Sequence, residues 1–216
     1  NGNIVQSNSL GTDATGTIKV GLSGNGSGVI GANNTITGNV ISGLISDDPG
    51  YKGTAEGVAI RIAETSATGN VVESNRIGTD VNGTTMLGNG RDGVVLANGA
   101  SGNRIGGPGS ARNIIVGNKR RGVSIGTDEG ILYGSPTRNV VQGNYIGVDA
   151  TGNVAFPNGT GVYLRGVTDN TIGGSGAGEG NLISGNTLQG IAIKYWALST
   201  DTGSNVIKGK PGSRLI

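Results

Sequence analysis

Cysteine and histidine are both missing from the 216 residues. Their absence excludes disulfides, thiol nucleophiles, imidazole bases and most zinc sites. Aromatic side chains are scarce: one Phe, one Trp and five Tyr cannot fill a conventional core. No apolar run approaches the ~20 residues of a membrane-spanning helix, and no signal peptide is visible. Charge is nearly balanced, 16 basic against 14 acidic groups, and a net +2 is too slight to indicate nucleic acid. Glycine, by contrast, supplies 45 residues, far above its usual share of about 7%. Apolar residues still make up 34% of the chain, set one or two at a time between Gly, Asn, Ser and Thr. Small aliphatic units spread this evenly suit a solenoid better than a globule.

The spacing of these units is regular. Asn3, Asn70, Asn139 and Asn205 each open a version of N-x-V/I-x-x-N, at intervals of 67, 69 and 66 residues. A second series, "NTITGN" at 34–39, "NIIVGN" at 113–118 and "NLISGN" at 181–186, runs between them. A third follows G-V-x-I: "GVAI" at 57–60, "GVVL" at 93–96, "GVSI" at 122–125, "GVYL" at 161–164 and "GIAI" at 190–193. Each super-repeat of about 67 residues thus holds two turns of a coil, one long and one short. Every turn contains three short aliphatic pieces bounded by Gly, Asn, Asp or Pro, which is a strand-and-turn pattern. None is long enough for a helix.

Three strands per turn with the register kept predict an all-β fold, a right-handed three-sided parallel β-helix of about five to six turns. A single domain covers 1–209, and 210–216 reads as a tail or junction. Because Asn1 opens inside a motif, the chain reads as a piece of something longer. Asn70, Asn75, Asn113, Asn118, Asn139, Asn144, Asn181 and Asn186 are expected at strand corners. There Asn tolerates the left-handed region, and stacked amides can form hydrogen-bond ladders. A row of polar ligand contacts is the lesser alternative.

The motifs "NVISG", "NLISGN", "NRIGTD" and "IGG" resemble those of right-handed parallel β-helix repeat proteins of the pectin-lyase-like superfamily. More narrowly, they are similar to repeats of large bacterial secreted and surface proteins. The resemblance covers roughly residues 3–209. It implies the fold and leaves function open, since that superfamily includes lyases, hydrolases, epimerases, tailspikes, adhesins and structural arms.

Chemistry is sought first in the repeated loops "GTDATG", "GTDVNG" and "GVDATG". Asp13, Asp80 and Asp149 could hold calcium, but one carboxylate per loop is a meagre set for an ion that takes six to eight oxygens. An Asx-type turn is the preferred reading. Their recurrence on alternate turns also predicts a separation of about 9–10 Å along the axis. No other cofactor is implied.

Recognition is expected where the repeat is interrupted. The segments 61–69, 126–137 and 194–204 share one corner and gather Glu64, Asp128, Glu129, Tyr133, Lys194, Tyr195 and Trp196. Tyr133, Lys194, Tyr195 and Trp196 suit the apolar faces and hydroxyl rims of sugars. Glu64, Asp128 and Glu129 are the catalytic candidates. A second interruption, "SDDPGYKG" at 46–53, could bring Asp47 and Asp48 towards Lys119, Arg120 and Arg121, as a surface ion cluster or a polyanion-binding edge. An ice- or mineral-binding face would need outward Thr ranks that the sequence does not place on successive turns.

The favoured function is a non-catalytic module of a secreted or cell-surface protein, acting as a structural arm, an adhesin stalk or a carbohydrate-contacting platform. Its expected partners are polysaccharide and either further turns of a longer chain or a second copy end to end. The alternative is a polysaccharide lyase or glycoside hydrolase with its cleft on the 126–137 and 194–204 loops. A glycosidase would need two carboxylates about 5–9.5 Å apart, and no dense constellation on consecutive turns supplies them.

Overall fold

The computed structural model describes residues 1–46, 56–126, 134–194 and 204–209, and forms a parallel β-solenoid of about five turns. Three parallel sheets run along its length. Sheet 1 stacks Ile4–Gln6, Thr35–Thr37, Val71–Glu73, Arg104–Ile105, Val140–Val141, Thr171–Gly173 and Val206–Lys208. Sheet 2 stacks Ser9–Leu10, Val40–Ile41, Arg76–Ile77, Ile114–Ile115, Tyr145–Ile146 and Leu182–Ile183. Sheet 3 stacks Ser27–Val29, Ile60–Ala63, Val94–Ala97, Arg121–Ile125, Thr160–Arg165 and Ile191–Lys194. No helix among the described residues is long and apolar enough to cross a membrane.

Alternation along each strand sends one aliphatic inwards per two residues, and register places it over its counterpart. In sheet 1 the inward file is Val5, Ile36, Val72, Ile105, Val141, Ile172 and Ile207. In sheet 2 it is Leu10, Ile41, Ile77, Ile115, Ile146 and Ile183. Sheet 3 adds two files, one through Ile60, Val94, Val123, Val162 and Ile191, the other through Ile62, Leu96, Ile125, Leu164 and Ile193. The middle members are fully buried and form one continuous core. Each contributes about 1.5–3 kcal/mol relative to exposure.

The pairing corrects one repeat assignment. Ile60 pairs with Val94 and Ile62 with Leu96, so the counterpart of "GVVL" is "AIRI" at 59–62, not "GVAI" at 57–60. Both phases place an aliphatic at Ile60. Only register across the sheet distinguishes them.

Asparagine side chains tie the turns together. Along the corner before sheet 1, Asn3, Asn34, Asn70, Asn103, Asn139, Asn170 and Asn205 form an unbroken ladder. Each Oδ1 accepts both the main-chain N–H and the Nδ2–H of the Asn one turn earlier, as Asn139 does from Asn103 at 3.0 Å and 3.0 Å. The second Nδ2 hydrogen reaches back to a carbonyl, that of Ala100 in the case of Asn139. Asn8, Asn39, Asn75, Asn113, Asn144 and Asn181 repeat the arrangement before sheet 2. Asn89, Asn118, Asn158 and Asn186 form a third ladder before sheet 3, at whose first rung the Asn89 N–H turns instead to the Gly117 carbonyl.

The ladder asparagines do not themselves adopt the left-handed conformation expected of them. It falls mostly on the residue before: Ser7, Asn33, Ser74, Arg138 and Asp169, or a glycine such as Gly69 and Gly102, has positive φ. Reversal one residue earlier turns the Asn amide inwards, under the amide of the neighbouring turn. Glycine is required for a second reason at Gly78 (φ 84°), where a Cβ would overlap the Val116 carbonyl oxygen.

Replacing Asn139 with Ala leaves the buried Asn103 N–H and Nδ2–H without their acceptor. At about 1–3 kcal/mol per orphaned group, Asn139→Ala should cost about 2–5 kcal/mol. Asn153→Ala, in an exposed loop, should cost less than about 0.5 kcal/mol. Urea unfolding of the two variants against the parent checks the contrast.

Candidate functional site

The three acidic loops leave the corner between sheets 2 and 3 on alternate turns, each closed by one antiparallel bridge: Thr12–Lys19, Thr79–Met86 and Val148–Ala155. The carboxylate is the hub of its loop. Asp80 Oδ1 accepts the N–H groups of Thr84 and Thr85 at 2.8 Å and 2.9 Å. Asp149 Oδ1 does the same for Asn153 and Val154, and Thr151 donates its hydroxyl to both carboxylate oxygens. Asp13 Oδ1 accepts from Thr17 and Ile18, and its Oδ2 accepts the Thr15 hydroxyl at 2.6 Å. These are Asx-type loops. Although two turns apart, the loops touch: Val81 N–H donates to the Gly16 carbonyl and Ala150 N–H to the Gly83 carbonyl, both at 2.9 Å. The intervening turns pass this corner as Ser42–Gly43 and Val116–Gly117 without a loop, so each hairpin fills two turns of rise. Among the described residues no three potential ligands are grouped to hold a metal ion.

Titration follows from those contacts. The Thr15 hydroxyl and the N–H groups of Ile18 and Thr17 lower the Asp13 carboxyl to about 2. For Asp80 and Asp149 burial pushes upwards, but the donors outweigh it and both carboxyls lie below the usual range.

The outward face of sheet 3 is the other concentration of chemistry. Register aligns Arg61, Val95, Ser124, Tyr163 and Ala192 in one outward file, and Ala63, Ala97, Arg165 and Lys194 in the next. Outward residues of a solenoid usually face water, yet Val95, Ser124, Tyr163 and Ala192 are buried. Val58, Ala63, Val95 and Ala97 form a second apolar cluster outside the main core. Next to it, the Arg121 guanidinium lies 3.6 Å from the centre of the Tyr163 ring and donates to Ser124 Oγ.

At the edge of this face sits Asp92, only 2% exposed. Its Oδ2 is 3.8 Å from Arg91 Nε and 3.9 Å from Arg120 Nη1, and its Oδ1 has no hydrogen-bond partner. Burial pushes the Asp92 carboxyl up, against the opposing pull of Arg121, Arg120 and Arg91. Desolvation is the largest influence, and Arg91 Nε and Arg120 Nη1, at 3.8 Å and 3.9 Å, stand beyond hydrogen-bonding distance of the carboxylate.

Of the residues expected to gather at the corner after sheet 3, Glu64 and Lys194 are described. Glu64 occupies the corner after sheet 3 with φ 81° and accepts a hydrogen bond from Asn98 Nδ2 at 2.9 Å. Lys194 is exposed beside Arg165. Four turns separate Glu64 from Lys194, about 19 Å of axial rise at ~4.8 Å per turn. Asp128, Glu129, Tyr133, Tyr195 and Trp196 lie outside the described residues, as do Asp47 and Asp48. Of the basic triplet, Lys119 is exposed, Arg120 is half-buried and Arg121 is buried against Tyr163. Arg91, Asp92 and Tyr163 escaped notice because three different turns supply this cluster with Arg120 and Arg121, and no local motif marks it.

Comparison with protein-family models, curated proteins and solved structures finds no match to this chain.

Two pH effects follow. A carboxyl lowered on folding adds stability above its ordinary value of 3.8 and loses it as pH falls towards about 2. The Thr17 and Ile18 amides should therefore lose protection over that window, as followed by NMR; unchanged protection would contradict the Asp13 assignment. Asp92 has the opposite sign. Its raised value favours the fold below the ordinary carboxyl range, and that advantage is lost as pH rises through the elevated one. Relative to Asp92→Asn, the parent should become progressively less stable as acid is neutralised, measured by denaturant midpoints across a pH series.

Proposed function

We propose that this chain is a non-catalytic β-solenoid module of the pectin-lyase-like type, serving as a structural arm or adhesin segment of a secreted or cell-surface protein. The observation that carries this reading is how completely the repeated polar groups are consumed by the architecture. Three asparagine ladders run from turn to turn without a gap, and the recurring aspartates are engaged by their own loops. A repeat that served catalysis would leave some of its recurring polar groups facing substrate.

Two aromatic groups among the described residues support the same view. One face of Tyr163 is covered by Arg121, one face of Tyr145 lies 3.9 Å from the Arg112 guanidinium, and Tyr163 is only 8% exposed. Neither offers the pair of open ring faces that suits stacked sugars. Carbohydrate contact in this reading belongs to the corner after sheet 3, where the exposed Lys194 lies.

Incubation with uronic-acid and neutral polysaccharides should release no unsaturated or reducing ends above background. Turnover abolished by Glu129→Ala or Glu64→Gln would overturn the reading in favour of a lyase or hydrolase.

A further inference from the structure

We propose that Asn98–Gly99 is a self-modification site, at which the folded protein loses the Asn98 amide spontaneously and ahead of every other Asn–Gly pair. The sequence holds six such pairs: Asn1–Gly2, Asn25–Gly26, Asn82–Gly83, Asn89–Gly90, Asn98–Gly99 and Asn158–Gly159. Glycine has no Cβ to hinder approach of its main-chain nitrogen to the preceding side chain, so each pair is reactive in an unfolded chain.

In the reaction the Gly nitrogen loses its proton to solvent and attacks Cγ of the Asn. A C–N bond closes a five-membered succinimide, and the side-chain nitrogen leaves as ammonia. Water then opens the ring at either carbonyl, giving aspartate or isoaspartate. No oxidant or further reagent is needed.

The fold distinguishes the six by the state of that attacking nitrogen. Gly2 donates its N–H to Ala32 O, Gly26 to Val58 O, Gly83 to Asp80 O, Gly90 to Leu44 O and Gly159 to Asn118 O, over 2.8–3.2 Å. Among the described residues Gly99 N–H alone of the six has no main-chain acceptor. An N–H already committed to a carbonyl must surrender that bond before it can react.

The asparagine side chains differ in the same sense. Asn89 and Asn158 are ladder members, buried, with Oδ1 accepting and Nδ2 donating twice. Asn98 is half-buried, lies in the left-handed region at φ 51° and is held by its single bond to Glu64. Exposure alone would nominate Asn1, Asn25 or Asn82 instead, but Gly2, Gly26 and Gly83 each donate to a carbonyl, Gly83 at 3.0 Å to Asp80 O in the tight turn of the acidic loop.

The product changes the corner after sheet 3. An aspartate at 98 sets a carboxylate where the amide met Glu64 Oε1 at 2.9 Å, exchanging a hydrogen bond for like-charge repulsion. Isoaspartate also lengthens the main chain by one carbon at a sharp reversal. Either product should loosen the link between the second and third turns.

Peptide mapping by mass spectrometry tests this, after folded and urea-unfolded protein are aged in parallel in mildly alkaline buffer. In folded protein the Asn98 peptide should gain the mass of the acid several-fold faster than the peptides holding Asn25, Asn82, Asn89 and Asn158. In urea the rates should converge. Asn98→Gln, whose larger ring closes far more slowly, should silence that peptide alone, and Asn98→Asp should lower the urea midpoint as the aged protein does. Faster conversion at Asn82, no conversion at Asn98 in folded protein, or the same ranking in urea would each overturn the proposal.

Discussion

A buried asparagine in one turn must find its acceptor in the next, and the structure is organised around that requirement. The ladder amides of the middle turns are buried, where an unmade hydrogen bond costs about 1–3 kcal/mol. The aliphatic files provide most of the drive to collapse, since burial of each Ile or Val outweighs the net worth of one hydrogen bond. Aliphatic contact alone does not fix register, because Val, Ile and Leu replace one another freely along every file. The amides do fix it. A strand that slipped by two residues would keep the same face inwards yet leave its ladder amide without its donors and acceptor.

The same requirement explains how strands of two residues can hold a sheet. Arg104–Ile105 or Tyr145–Ile146 offers few main-chain bonds to a neighbour. The asparagine at the preceding corner, Asn103 or Asn144, adds two more with a neighbouring turn, its Oδ1 accepting one from main chain and one from side chain. Because each turn bonds mainly to those on either side, stability accumulates turn by turn. The acidic loops are the exception that spans further, reaching two turns through Gly16–Val81 and Gly83–Ala150.

Much of this was legible in the sequence because periodicity is its own signal. The intervals between Asn3, Asn70, Asn139 and Asn205 disclose the coil, and the residue types at each corner disclose the ladders. The loops at Asp13, Asp80 and Asp149 were readable as Asx-type turns because one carboxylate per loop is too few for an ion. What the sequence obscured depends on contact between turns. "GVAI" looks as good as "AIRI" until Ile60 is seen against Val94. The left-handed residue precedes the ladder Asn because the amide must point inwards, which composition cannot say. The meeting of Asp92 with Arg91 and Arg120, and of Arg121 with Tyr163, joins residues up to 42 positions apart. The contact between the acidic loops was hidden for the same reason.

Hydrogen exchange of the asparagine side-chain amides, resolved by NMR, tests the ladder most directly. The Nδ2 protons of Asn70, Asn103 and Asn139 in one ladder, and of Asn75, Asn113 and Asn144 in the next, should exchange only through opening of whole turns, orders of magnitude more slowly than those of Asn82 and Asn153. Equal, rapid exchange in both groups would mean that the amides do not hold the turns together, and the account would fail at its base.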